Sequence, residues 1–245
     1  MKAPYDEHFF ASHRSGSHLS PREVVPLLMQ IFSPRSVVDV GCAEGPWVGE
    51  FHRLGVQDVL GIDGDYVDRK MLQIPREKFL PHDLTKPLAL GRKFDMAISL
   101  EVAEHLPSQC AAPFVALLTS LAPVVIFSAA IPGQGGVCHV NEQWPSYWCE
   151  KFNACGFRTC DCIRPRIWSN EKVLGYYRQN MIAFLAEGIA CDCGETILDI
   201  VHPRTFQGLI NCTHPDNISV RTAARQFARS ILNAASRRFR SAVGK

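Results

Sequence analysis

Short runs of β-branched and aliphatic residues alternate along the middle of the chain with stretches whose apolar positions recur at helical spacing. The runs at residues 36–40, 58–62, 78–80, 94–100, 124–129, 157–163 and 181–185 predict strands. Helical periodicity predicts helices over 20–32, 111–121 and 143–154. At the first of these, Ser20 can cap, Pro21 suits the first helical turn and Glu23 can close a capping box. Strand and helix in alternation predict an α/β fold, a mostly parallel sheet with helices on both faces. No clear helix separates the last two strands, so they read as an antiparallel pair at one edge. Residues 188–220 are irregular, with Pro203, Gly208 and Pro215 as breakers. Over 221–243, Phe227, Ile231, Ala235 and Phe239 fall at i+4 steps, beside Arg221, Arg225 and Arg229, which predicts a basic amphipathic helix.

Composition sets the scale. A chain of 245 residues with 47% apolar and 20% charged residues can bury a core and is not disordered by composition. No apolar run approaches the ~20 residues of a membrane span. The leading MKAPYDEHFFASHR is polar and lacks the basic-then-apolar pattern of a secretory signal. These features predict a cytoplasmic protein. The net charge of +2 hides an asymmetry: residues 221–245 carry seven Arg and Lys and no acid, and the remaining 19 basic and 24 acidic residues give −5. The basic helix has three readings: a solvated helix docked by its apolar stripe, a reversible contact with an anionic membrane surface, or a phosphate contact. Ten cysteines form no small-domain disulfide framework. Cys160-x-Cys162 and Cys191-x-Cys193 suggest a zinc site, but structural zinc pairs usually have two to four intervening residues, so packing thiols are the expectation.

The chemistry concentrates at predicted strand ends. Val37-Val38-Asp39-Val40-Gly41-Cys42-Ala43-Glu44-Gly45 is a strand ending near a carboxylate, then a glycine-bearing turn into a helix. Glycine allows unusual dihedrals and close ligand approach, and ligands of open α/β sheets bind at the carboxyl ends of the strands. Asp63 closes the second strand, 24 residues after Asp39, where a carboxylate can accept both hydroxyls of a ribose. Asp83 and Leu84 follow the third strand, where a carboxylate can accept an adenine amino proton. Ser99 and Glu101 end the fourth. The turn lacks G-x-G-x-x-G, which argues against a dinucleotide-dependent dehydrogenase.

This ordered set, DVGCAEG, GIDGD, HDL and FDMAISLEVAEHLP followed by GGVCHVNEQW and FNACGF, resembles the class I S-adenosylmethionine-dependent methyltransferases over about residues 34–187. The resemblance implies a Rossmann-like, seven-stranded sheet of order 3-2-1-4-5-7-6. It implies that Asp39, Gly41, Gly45 and Ser99 border the S-adenosylmethionine site, that Asp63 holds the ribose, that Asp83 contacts adenine and that Leu84 packs by the ring. Ala43 stands where the family's commonest turn has glycine. Residues 1–33 then form a leading segment and helix, in which Tyr5, Phe9 and Phe10 close over the cofactor. Residues 34–187 form the cofactor-binding domain, and residues 188–245 form an extension ending in the basic helix.

Glu101, Glu104 and His105 fall at i, i+3 and i+4 behind the fourth strand, and share a face if the segment turns helical. His139 follows the fifth strand and its glycine-rich loop at 133–136. Two uses stay open. His105 or His139 is a general base that takes the proton of an acceptor hydroxyl. Alternatively, Glu101, Glu104, His105 and His139 hold a divalent ion such as Mg²⁺ or Mn²⁺, which acidifies the hydroxyl. This pattern is similar to that of metal-dependent small-RNA 2′-O-methyltransferases and of ubiquinone-pathway O-methyltransferases. Glu104 and His105 can also serve as local capping and packing groups. Trp144, Tyr147 and Trp148 either wall an acceptor pocket or pack their own helix. The reading is methyl transfer to a hydroxyl of a small molecule, a glycan, sugar or natural-product intermediate. Its rivals are an RNA 2′-O-methyltransferase, disfavoured by the acidic body, and a non-catalytic cofactor-binding scaffold.

Overall fold

The computed structural model describes residues 19–192, 196, 198–213, 220 and 224. It divides into a unit ending at His202 and a second unit from Pro203 onward. In the first unit, helix α1 (Leu19–Phe32) precedes β1 (Ser36–Val40), α2 (Pro46–Arg53), β2 (Asp58–Asp63), β3 (Phe79–Pro81) and β4 (Met96–Leu100). Then come α3 (Ala111–Leu121), β5 (Val124–Ser128), α4 (Pro145–Ala154), β6 (Arg158–Cys160), the short helices α5 (Arg164–Ile167) and α6 (Gly175–Asn180), and β7 (Ile182–Leu185). The second unit contains α7 (Pro203–Thr213). The leading segment with Tyr5, Phe9 and Phe10, Cys193 and the basic helix predicted over 221–243 lie outside the described residues, apart from the isolated position 224.

The sheet order is β3-β2-β1-β4-β5-β7-β6, as the resemblance implies. β1 lies between β2 and β4, with Val38 opposite both Leu60 and Ala97, and these pairings are parallel. β7 runs antiparallel to both neighbours: Ile126 faces Ala183 on one side and Cys160 faces Ala183 on the other. Period-two alternation sends successive side chains into two separate cores. Val37, Met96, Ile98 and Ile126 pack with α1 and α2 on one face. Val38, Ala97, Val125 and Phe127 pack with α3 and α4 on the other. The helices therefore cover both faces.

Three local expectations change. Residues 164–167 and 175–180 are helical, so the last two strands are separated by two helical turns. Breakers flanking short segments hid them: Pro165 sits in the first turn of α5 and Gly175 opens α6. Arg164 is buried there against Asp161 at 2.8 Å and the Leu198 carbonyl at 3.1 Å. At α1, Ser20 and Glu23 serve tertiary contacts. The Ser20 hydroxyl accepts the Leu174 amide at 3.0 Å, and the Glu23 carboxylate accepts the Asn170 side-chain amide at 2.9 Å. The described residues between 188 and 202, irregular by sequence, belong to the unit that carries the sheet. Asp199 accepts the Ser146 amide and hydroxyl at 3.0 and 2.7 Å, joining this segment to the start of α4.

Candidate active site

Two cavities open at the carboxyl ends of the central strands. The larger, about 660 Å³, is lined by strand-end residues including Gly41, Ala43, Asp63, Asp83, Leu84 and Glu101. That volume lies within the ~300–1,000 Å³ typical of small-ligand sites. The smaller, about 270 Å³, is lined by Trp47, Glu104, His105, Gln134, His139 and Tyr176 among others. Gly41, Ala43, Glu101 and His105 line both.

The floor of the larger cavity is the turn after β1. Gly41 and Gly45 have φ of 88° and 81°, and Ala43 itself sits at φ 49°, in the left-handed region. A Cβ on Gly41 would stand 2.3 Å from the Val102 side chain, so both dihedral and space require glycine there. The left-handed conformation at Ala43 turns its amide onto Asp63, whose Oδ2 accepts it at 2.7 Å. Asp63 Oδ1 accepts the Gly64 amide at 2.6 Å and the Tyr66 hydroxyl at 2.5 Å. A carboxylate accepts about four hydrogen bonds. Asp63 thus keeps capacity toward the cavity, and the half-exposed Tyr66 is the donor most readily displaced. Burial raises the Asp63 pKa, partly offset by these donors. Asp83 is exposed and its Oδ1 accepts the Thr85 hydroxyl and amide at 2.7 and 2.9 Å, which holds its pKa low and its charge in place.

Asp39, Ser99 and Gly45 line neither cavity. Asp39 lies buried near the turn, with Oδ2 unpaired, and burial and the neighbouring Asp63 charge push its pKa well up. The Ser99 hydroxyl is fully buried and donates to the Val40 carbonyl at 2.8 Å, tying β4 to β1. Gly45 is the cap of α2. These three shape the turn from behind.

Glu101 also lies at positive φ, 56°, and ends β4 as an isolated left-handed residue. The helical turn begins only at Ala103, so the predicted shared face with Glu104 and His105 does not form. The Glu101 carboxylate instead accepts the side-chain amides of Gln134 at 2.9 Å and Asn180 at 3.1 Å, and Asn180 donates to Gln134 at 2.9 Å. Burial raises its pKa against these donors. Ligand atoms of Glu104, His105 and His139 all lie within 4.8 Å of one another. Glu104 is 0% exposed and neither carboxylate oxygen makes a hydrogen bond of good geometry. Burial and the charge of Glu101 push its pKa well up. The His105 and His139 rings meet edge to face at 4.8 Å, and burial followed by His139 lowers the His105 pKa to about 4. His105 is therefore neutral at neutral pH and able to accept a proton.

Several site residues carry no signal in sequence. Glu142 accepts His139 Nδ1 at 2.9 Å and the amides of Gly133 and Gly135 at 2.8 Å each, so one carboxylate orients the imidazole and shapes its loop. Trp47 and Tyr177, joined by an indole-to-hydroxyl hydrogen bond of 3.3 Å, wall the smaller cavity with Tyr176. The predicted aromatic wall does not. Trp148 is buried against Phe127, Tyr147 packs on Trp148, Trp144 is 38% exposed, and none of the three lines either cavity. The helical spacing that suggested a wall serves packing of α4.

Comparison with known proteins places this geometry. No curated protein matches the chain in sequence. Among solved structures, an O-methyltransferase family protein from Burkholderia thailandensis is similar at 11% identity and TM-score 0.53, over 76% of this chain and 62% of that one. The methyltransferase domain of bacterial CtHen1 is similar at 16% identity and TM-score 0.52, over 69% and 98%. Magnesium protoporphyrin IX methyltransferase from Synechocystis, solved with bound S-adenosylhomocysteine, is similar at 18% identity and TM-score 0.50, over 76% and 90%. The chain spans 56% of the length of TnmH, a further structural match. At such identities these likenesses establish the fold. The sequence of residues 10–158, more than half of the chain, matches the profile of a methyltransferase domain family. With the sheet order found here, that match makes the chain a member of the class I S-adenosylmethionine-dependent methyltransferases.

Proposed function

We propose that the chain methylates a hydroxyl of a small molecule, a glycan, sugar or natural-product intermediate, with the cofactor in the larger cavity and the acceptor in the smaller. One observation carries this reading: the two cavities meet at Gly41, Ala43, Glu101 and His105, so a proton acceptor stands where they join. When bound, S-adenosylmethionine supplies an electrophilic methyl group on a sulfonium. Asp63 and Asp83 hold the two ends of the cofactor's nucleoside, and the turn at Gly41 leaves main chain open to it. Alignment does most of the catalytic work in such a displacement, and removal of the acceptor proton does the rest. His105, neutral because burial disfavours its cation, takes that proton, and the hydrogen bond from His139 to Glu142 keeps the neighbouring ring in register.

Glu104, His105 and His139 also fit a divalent cation such as Mg²⁺ or Mn²⁺. A buried carboxyl group with both oxygens unpaired beside two imidazoles is the donor set such an ion satisfies. The ion would hold vicinal hydroxyls and acidify one of them. Glu101, committed to Gln134 and Asn180, would stand beside that set as its neighbour.

A screen of hydroxyl acceptors with labelled cofactor, run with and without EDTA, tests the proposal. Turnover on a small hydroxyl compound is the expected outcome, and its loss in EDTA would favour the metal. Turnover only on amines would refute hydroxyl transfer, and tight cofactor binding without turnover on any class would favour a scaffold. The Glu104–His105–His139 group also supports a second reading, RNA 2′-O-methylation, on the likeness of this Glu/His pattern to that of metal-dependent small-RNA 2′-O-methyltransferases. Gel shifts with and without residues 221–245 test it, and no RNA binding by either form excludes it.

A further inference from the structure

A second convergence of metal-binding side chains lies away from the cavities. The Sγ atoms of Cys160, Cys162 and Cys191 all lie within 4.8 Å of one another. Cys160 ends the edge strand β6 and Cys162 follows it two residues on. They are 0% and 1% exposed, and Cys191 is partly exposed. β6 is only three residues long and pairs with β7 alone. The chain returns to it after β7 through a turn at Gly188, φ 82°, and the Arg158 guanidinium donates to the Ile189 carbonyl at 2.9 Å. That bond lays the segment carrying Cys191 over the end of β6.

We propose that Cys160, Cys162 and Cys191 bind a zinc ion that fastens the edge strand to the segment after β7. Three thiolates favour a soft or borderline metal, and zinc accepts them tetrahedrally. With Zn–S near ~2.3 Å, tetrahedral sulfurs stand about 3.8 Å apart, so the observed group closes on an ion by small side-chain shifts. Single-residue spacing, which argues against a finger-type pair, is met here by tertiary structure: the third ligand arrives from beyond β7. Among the described residues no fourth His, Cys, Asp or Glu atom joins the group, so the fourth corner goes to water or to another part of the chain. Zinc with three thiolates carries a net −1, and Arg166, whose charge acts on Cys162, balances it. Burial and Cys191 push the Cys162 thiol up to about 12. Zinc binding displaces the thiol protons to solvent. Cys191, partly exposed, gives the ion its entry.

The test is zinc content of the purified full-length protein by plasma mass spectrometry, with Zn²⁺ as the probe. About one zinc per chain is expected in wild type and in the H105A/H139A variant, and near zero in C162S/C191S. Cobalt substitution should give a thiolate-to-cobalt charge-transfer band that follows the same pattern. Stripping zinc from wild type should lower Tm, and adding Zn²⁺ should restore it. The H105A/H139A control separates this site from the active-site cluster. Zinc lost there and kept in C162S/C191S would overturn the proposal. So would wild type that holds no zinc and shows no Tm response to Zn²⁺, or a mass lower by two hydrogens, which would mean a disulfide. The wild-type measurement decides even if the double serine variant fails to fold.

Discussion

The two cavities share four lining residues but are built in different ways. The larger draws on consecutive strand ends, β1, β2, β3 and β4, each presenting its own local motif. The smaller is assembled from Trp47 on α2, the 133–139 loop, the turn at Ala103–His105 and Tyr176–Tyr177 on α6. Its parts span most of the sheet-bearing unit in sequence. A site made of strand ends is held by the sheet ladder itself. A site made of loops is held by side-chain networks such as Glu101–Gln134–Asn180 and His139–Glu142. The first kind suits a constant ligand, and the second suits an acceptor that varies while the fold is kept.

This contrast breaks first at His105. H105Q should lower kcat by about 10²–10⁴-fold, the usual worth of a positioned acid–base group, while cofactor affinity by calorimetry stays at the wild-type value. D63A should do the converse. Losing charge-assisted hydrogen bonds worth ~1.5–3 kcal/mol each should weaken S-adenosylhomocysteine binding by about 10²-fold. If H105Q abolished cofactor binding, or D63A spared it, the division into two sites would be wrong. E142Q should reduce kcat by about 10-fold or more without moving cofactor Kd, because a group that orients a catalytic or metal-ligating histidine typically matters by ~10–100-fold.

Two of the three left-handed positions in the first turn sharpen the comparison further. Gly41 faces Val102 and requires glycine, so G41A should destabilise the protein by about 1–3 kcal/mol. Ala43 bears a left-handed strain of ~1 kcal/mol, and A43G removes it while adding chain entropy to the unfolded state, leaving a Tm gain of a degree or two at most. A further effect concerns pH. His105 is lowered from an ordinary 6.5 to about 4, so the unfolded chain binds a proton that the folded one refuses. Folding stability should fall as pH drops from 6.5 toward 4, and H105Q should flatten that part of a Tm-against-pH curve.

Legibility in the sequence followed the same division. Asp63, Asp83 and Gly41 were readable because a strand, a polar end and a turn fall within a few residues of one another. Asp39 and Ser99 shared that pattern but line neither cavity: Asp39 is buried near the turn, and the Ser99 hydroxyl is spent on the Val40 carbonyl. Glu142 looked like any surface acid until the 133–139 loop folded back on it. α5 and α6 were missed because such short helices, held by tertiary contacts such as that of buried Arg164 to Asp161 in α5, owe little to their own propensity.

The amino-acid sequence by itself determined the strand set, the alternation that buries both faces of the sheet, and the chain's family. Strand period and strand-end turns are local, and local rules suffice to read them. Tertiary structure alone decided the sheet edge where three cysteines meet, the aromatic wall of the smaller cavity, and the commitment of Glu101 to Gln134 and Asn180. Each depends on residues tens of positions apart brought within a few ångströms. No spacing encodes such contacts, because they follow from how the packed elements close on one another.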